Sequence, residues 1–396
     1  MAGFTPQTQE DHTVKFRVER DVFADAVAWA ARSLPVRPSA PVLAGLLIEA
    51  GDGGLVLSSF DYETSARATV KAEVSDEGTC LVSGRLLADI CRSLPHKPID
   101  VSLTGAKVEL TCGAGRFSLQ TMPVEDYPTL PEMPSASGTV NSTDFAHAVS
   151  QAVTAAGRDD MLPVLTGVRI EIEGDTMSLL ATDRFRLSHR ELGWNPQETD
   201  ASMAALVPAK VLGDTAKSLT GGEVTISLAA GGTGEGIIGF QYGDEESGTR
   251  RTTTRLLDGE FPKVRSLFPS QHLTVAKVNK QELIDTVKRV ALVAERNSAV
   301  QLKFADGEVV LDSSSGDEAQ ATEAITAEID GDEIMTGFNP QYLLDGLTAL
   351  DGEVVDLAFT QANKPVVISA TDAAADDSRG RGAGFRYLLM PRRLLS

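Results

Sequence analysis

Aromatic residues make up only 5% of this 396-residue chain. The core that 42% hydrophobic content allows must therefore be filled mainly by aliphatic side chains. Cysteine is scarcer still: Cys80, Cys91 and Cys112 form no CxxC pair. An odd count without an export signal predicts reduced, buried thiols. The five histidines show no HxxxH or HExxH spacing, so no metal or other cofactor is expected. No apolar run approaches the roughly 20 residues of a membrane helix. The opening "MAGFTPQTQEDHTVKF" lacks the basic-then-apolar order of a signal peptide, and a cytoplasmic location is expected. Positive charge is also short, with 36 Lys and Arg against 56 Asp and Glu and a formal charge of −20. As a global average that charge repels phosphates and argues against nucleic acid. Its distribution decides whether the argument holds.

What the chain does have is a repeat. "APVLAGLLIEAGDGGLVLSSFDYETS" from Ala40 returns as "LPVLTGVRIEIEGDTMSLLATDRFRLS" from Leu162. Pro41 matches Pro163 and Asp61 matches Asp183. A fainter copy, "SAVQLKFADGEVVLDSSS", starts at Ser298. A second element recurs as "LVSGRLLADICRSL", "LVPAKVLGDTAKSL" and "TGFNPQYLLDGLTAL". Each reads as a strand end, a small residue or proline, and about ten helical residues. Proline-rich joints at 128–138 and 262–269 divide the chain into units of about 13–134, 139–269 and 272–396. "GDGG", "EGD", "ADGE" and "DGE" read as hairpin turns between alternating strands. Every unit thus predicts two helices and about eight antiparallel strands, an α+β class. In the first helix, Val22, Phe23, Ala26, Val27 and Ala30 fall at helical spacing.

The sparse positive charge collects on helices. Arg85, Asp89 and Arg92 share one face of a predicted helix, opposite Leu86, Leu87, Ile90 and Leu94. Lys210, Asp214 and Lys217 repeat that pattern, and the third unit replaces it with Gln341, Asp345 and Thr348. Six predicted helices (20–32, 84–93, 144–158, 209–218, 279–296 and 340–349) carry 11 Lys/Arg against 9 Asp/Glu. The plainer reading is a set of solvated helix faces. The sharper one is that the helices share one side and face a polyanion, while the acidic remainder discourages unspecific contact.

Several stretches in order resemble the bacterial DNA sliding clamp, the beta subunit of the DNA polymerase III holoenzyme: "RPSAPVLAGLL", "MPVEDYPTLP", "ATDRFRLS", "LLDGEFP", "GFNPQYLLDGL" and "YLLMPRRL". The resemblance spans essentially the whole chain, and "MPVEDYPTLP" is most similar to actinobacterial members. It implies a DNA-clamp fold of three similar domains and a head-to-tail homodimer closing a six-domain ring, with helices inside around duplex DNA. Binding would be sequence-independent and topological, and the protein a non-catalytic processivity factor. On this resemblance Arg37, Arg85, Arg92, Arg158, Lys210, Lys217, Lys280 and Arg296 face DNA. Phe117 and Leu119 meet the partner copy near Leu292.

The family also binds the polymerase, the clamp loader and repair proteins through short peptides with Leu and Phe anchors. The matching pocket positions lie between the second and third units. One wall is Leu165 with Thr182, Asp183, Arg184, Phe185, Arg186 and Leu187. Pro262 and Leu267 follow from the joint. The C-terminal tail supplies Leu388, Met390, Pro391, Arg392, Arg393 and Leu394. Family members often have Gly and His in place of Arg184 and Phe185, and Met in place of Arg392. Without the resemblance, "TDRFRL" reads as an edge strand after a turn.

An enzyme finds little support. "GGTGEG" (231–236) lacks the GK[ST] ending of a phosphate loop and reads as a hairpin. "GRDD" (157–160) and Asp183 supply carboxylates, but no histidine or metal-ligand spacing completes a site. "DSRGRGAG" (377–384) reads as a flexible loop. The remaining alternative is a β-rich repeat scaffold that binds proteins without DNA. The ending "YLLMPRRLLS" is apolar where chain ends are usually polar. It is expected to be a half-buried last strand, stopped by Pro391, followed by an exposed partner patch.

Overall fold

The computed structural model describes residues 14–229, 236–244, 248–295, 298–316, 318–371 and 384–392. Arg296, Arg393 and Leu394, most of "GGTGEG" and most of "DSRGRGAG" lie outside the described residues. The described residues group into two compact bodies. The first runs to Ala136 and adds Gly222–Ala229 and Ile237–Arg255; the second holds Ser137–Gly221 and the described residues from Leu256 on.

The repeat is present as structure. In the first body a short 3-10 turn, Pro41–Ala44, leads into strands Gly45–Gly51 and Gly54–Phe60. In the second, Pro163–Thr166 leads into Gly167–Glu173 and Thr176–Thr182, at the same offset. The proline sits where its missing N–H costs nothing. The third copy is the hairpin Val300–Ala305 with Glu308–Ser314. Its two-residue loop, Asp306-Gly307, holds φ of 53° and 82°. This is the double left-handed turn that Asp-Gly favours and that matches strand twist.

In the first body, strand Gly248–Arg255 pairs antiparallel with Thr64–Val70, so the strands of 223–255 extend that sheet. Helix α1 (Arg20–Ala31) buries Phe23, Ala26, Val27, Trp29 and Ala30. Val22 is exposed instead, whereas Trp29 is buried and its Nε1 donates to the Tyr242 hydroxyl at 2.7 Å. Helix α2 (Gly84–Ser93) turns Leu87 and Cys91 inward and leaves Leu86 exposed. All three cysteines are buried and unpaired.

The second body carries α3 (Ser142–Ala152), α4 (Ala209–Lys217), α5 (Lys280–Val290) and α6 (Pro340–Ala349). Asn141, Asn279 and Asn339 start α3, α5 and α6 by accepting first-turn amides on their side chains. Both α3 and α5 end earlier than the sequence predicts, tightening into 3-10 turns at Val153–Ala155 and Ala291–Val293. That correction takes Arg158 off its helix. The six α-helices of the described residues carry eight Lys/Arg and eight Asp/Glu, so the expected excess shrinks to neutrality, still against −20 for the whole chain. No described helix is long and apolar enough to cross a membrane.

One antiparallel sheet runs through this second body. Its middle order is Thr176–Thr182, Arg186–Gly193, Arg386–Leu389, Val366–Ala370, Val354–Phe359. Strand Arg386–Leu389 is therefore a seam, hydrogen-bonded to Arg186–Gly193 on one side and Val366–Ala370 on the other. Half-burial was expected for its leucines; Leu388 and Leu389 are 2% and 0% exposed, because the strand has neighbours on both sides. Aliphatic residues from both sides pack there: Leu180, Leu187 and Leu206 with Val367, Leu388 and Val264.

Candidate functional site

The seam also forms the site. Asp183 begins a tight turn in which its Oδ1 accepts the amides of Phe185 (3.0 Å) and Arg186 (3.1 Å). Its own amide reaches the Arg186 carbonyl at 3.3 Å. Asp61 builds the same turn in the first body, its Oδ1 accepting Glu63 and Thr64 amides at 3.0 and 2.7 Å. Both turns force their second residue left-handed, Tyr62 to φ 76° and Arg184 to φ 80°. Glycine occupies such backbone without strain, which gives a reason for the Gly often found at the Arg184 position in the resembled family.

The turn thrusts Phe185 outward, 53% exposed, where it stacks on Tyr342 of α6 with ring centroids 6.2 Å apart. The Met390 amide donates to the Phe185 carbonyl at 2.9 Å, fixing the tail beside the ring. The Arg392 amide donates to the Gly337 carbonyl at 2.8 Å, which ties Arg392 to strand Ile334–Phe338.

Arg186 locks the arrangement from below. It is 6% exposed, with Nε on Asp183 at 2.9 Å, Nη1 on Asp345 of α6 at 2.6 Å, and its guanidinium 4.3 Å from the Tyr342 ring centre. Burial works against its charge, but Tyr387, Asp345 and Asp183 outweigh it and hold its pKa above the usual arginine value. Further along the seam, Arg386 donates to buried His189 Nδ1 at 2.9 Å. The His189 Nε2 lies 3.3 Å from Glu191 Oε1 and 3.4 Å from Arg265 Nη1. The His189 side chain leads the influences, with Arg265, that bring the Glu191 carboxyl down to about 2 against the opposing effect of burial.

Two hollows meet at the Phe185–Tyr342 stack. One, of ≈ 550 Å³, is lined by Leu162, Leu165, Arg158 and the Asp183–Arg186 turn. The other, of ≈ 890 Å³, is lined by Met390, Pro391 and Arg392 with strands of residues 300–322. Pro262 lines a third, of ≈ 430 Å³, with Leu180 and Phe261. The structure thus gathers Leu165, Asp183, Arg184, Phe185, Arg186, Met390, Pro391 and Arg392 around one stack. Thr182, Leu187 and Leu388 are buried behind it, and Leu267 is 52% exposed but lines none of these three hollows. Tyr342 and Asp345 were missed as site residues. The signal was present: Asp345 falls at the position of Asp89 and Asp214 but lacks their basic neighbours, because its carboxylate serves Arg186.

The cationic candidates divide. Arg37, Arg85, Arg92, Arg158, Lys210 and Lys217 are exposed. Arg158, Lys210 and Lys217 line one hollow of ≈ 760 Å³ beside α3 and α4. Lys280 is partly buried and its ammonium donates to the Leu350 carbonyl at 2.7 Å, closing the end of α6. Phe117 is exposed on strand Gly115–Met122, Leu119 on the same strand is only 3% exposed, and Leu292 is 83% exposed.

Three family models match in series: DNA polymerase III beta subunit N-terminal domain over residues 14–131, central domain over 139–263, and C-terminal domain over 265–378. The chain is 55% identical to the beta sliding clamp of Streptomyces coelicolor, covering 96% of this chain and 100% of that protein. It is 51% identical to the Micrococcus luteus beta sliding clamp, covering 80% and 100%. The fold is similar to the DNA polymerase sliding clamp of Bacillus subtilis, with a TM-score of 0.87, 25% identity and coverage of 97% and 100%. It is also similar to a sliding clamp of Pseudomonas aeruginosa solved bound to griselimycin, with a TM-score of 0.85, 25% identity and coverage of 96% and 100%.

Proposed function

The chain belongs to the DNA polymerase III beta subunit family, and on that premise we propose that it is a DNA sliding clamp. Its three units, 13–134, 139–269 and 272–396, would pair head-to-tail with a second copy to close a ring around duplex DNA. An interface made twice by the same two surfaces closes such a ring. Phe117 on its strand and exposed Leu292 are the contact candidates; Leu119 supports the strand from inside. The role is non-catalytic and cytoplasmic: the ring slides and tethers a polymerase, which gains processivity.

DNA contact would come from exposed cations, with Arg158, Lys210 and Lys217 as the best-supported group because they share a hollow. Such contacts are sequence-independent and salt-sensitive. Near-neutral helices on a chain of −20 keep the remaining surface repellent to nucleic acid.

Partners would dock short peptides at the Phe185–Tyr342 stack, and this stack between two hollows is the observation that carries the proposal. The solved griselimycin complex of the Pseudomonas aeruginosa relative supports a ligand site on this fold. Two buried apolar anchors contribute about 3–6 kcal/mol gross, whereas micromolar affinity needs about 8 kcal/mol net. Added backbone hydrogen bonds bring a short peptide near micromolar, weak enough for partners to exchange. Met390 is 39% exposed and outside the seam strand, so Met390→Ala should spare the fold. The expected result is at least a tenfold loss of affinity for a Leu/Phe-anchored peptide, with the dimer intact by light scattering. Unchanged peptide affinity would remove the pocket assignment.

A further inference from the structure

The ≈ 890 Å³ hollow extends well past the apolar stack. Phe185, Tyr342 and Met390 form one end. The far wall belongs to the third unit, where Gln301, Asp312 and Thr322 are cross-strand neighbours. Thr322 donates to Asp312 at 2.5 Å, which orients the carboxylate. Glu295 adds a second carboxylate to the lining.

We infer that this hollow is a polar subsite that takes a basic segment adjoining the Leu/Phe anchors of a partner peptide. The inference rests on the peptide-pocket reading above and adds a charge preference to it. The apolar stack holds the anchors. Asp312 and Glu295 attract the neighbouring lysines or arginines. Arg392 from the tail is the cation on the lining, so an acidic flank meets two carboxylates for one guanidinium.

The test uses the full chain and fluorescent synthetic peptides with the same Leu and Phe anchors, carrying a lysine triplet or an alanine triplet at either end. At one end the lysine form should bind about fivefold tighter, which is what two partly exposed ion pairs supply. Asp312→Asn with Glu295→Gln should erase that preference and leave the alanine peptide unchanged. Because the chain is acidic throughout, a control variant neutralises two remote exposed acids, Glu73→Gln with Glu109→Gln, and should keep the preference. Equal lysine preference in all three proteins would overturn the inference, since the net field then explains it. No preference at either end, with the alanine peptide still bound, overturns the subsite alone. Failure of every peptide to bind overturns the pocket reading and the subsite together.

Discussion

Glu191 is a carboxylate whose ionisation the fold exploits. Hydrogen bonding from buried His189 brings its pKa from 4.5 down to about 2, with Arg265 assisting. A depressed folded-state value means that the charged form is what the fold stabilises. The contribution is complete above about pH 4.5 and fades as pH falls toward 2, with an upper bound of about 3 kcal/mol. Glu191→Gln should lower the unfolding midpoint at pH 7, and the gap to the unaltered protein should close by pH 2; a gap that does not change with pH would exclude this account. The cysteines are the opposite case, since burial pushes the Cys80 and Cys91 thiols up to about 12 and keeps them unreactive. Their reduced, buried state was legible from count and context. His189 was not, because nothing in "LSHREL" marks one histidine as the link between two strands that are 197 residues apart.

Helix α6 shows how an element can be read correctly and its purpose missed. Asn339 before Pro340 announces its start, and Leu343 and Leu347 declare its buried face. Gly346 lies on that face against the Tyr387 ring, where an added methyl would clash with the ring carbons. Alanine ordinarily stabilises a helix interior by about 1 kcal/mol over glycine. Here the expected sign is reversed: Gly346→Ala should cost about 1–3 kcal/mol by overpacking. It should also weaken peptide binding, because the displaced Tyr387 belongs to the seam strand and its hydroxyl donates to the Tyr342 carbonyl at 2.9 Å. A rise in melting temperature with unchanged binding would refute this coupling. The strands and turns of the repeat were legible because period-two alternation and Asp-Gly loops are local signals. The ends of α3 and α5 were not: both helices tighten into 3-10 turns within sequence that still reads as helical. The pairing of Arg386–Leu389 with Arg186–Gly193 is a non-local choice that only the packed structure displays. It also accounts for the apolar ending as far as Met390: Leu388 and Leu389 fill the seam while Met390 beside them stays exposed.

For the whole molecule, affinity and residence time on DNA come apart. A chain of −20 with near-neutral helices is expected to hold duplex DNA only weakly through charge alone at physiological salt. A closed ring removes that requirement, since dissociation then needs opening or a DNA end. The proposed clamp, once loaded on closed circular DNA, should therefore stay bound in salt that abolishes its binding to short linear duplexes. Cutting the circle once should release it within the time of sliding to an end, and blocking both new ends with bulky adducts should restore retention. Neutralising Arg158, Lys210 and Lys217 together should change how fast it slides and is lost from cut DNA, while leaving retention on the intact circle in place. Retention on unblocked linear DNA would instead mean that the cations grip phosphate directly. Leu292→Asp tests the same logic through closure: it places an unpaired carboxylate in the proposed contact between copies, where burying a charge without a partner is costly. The variant should run as a monomer and be lost from circular DNA without any cut, its peptide affinity unchanged because the Phe185–Tyr342 stack is built within one chain.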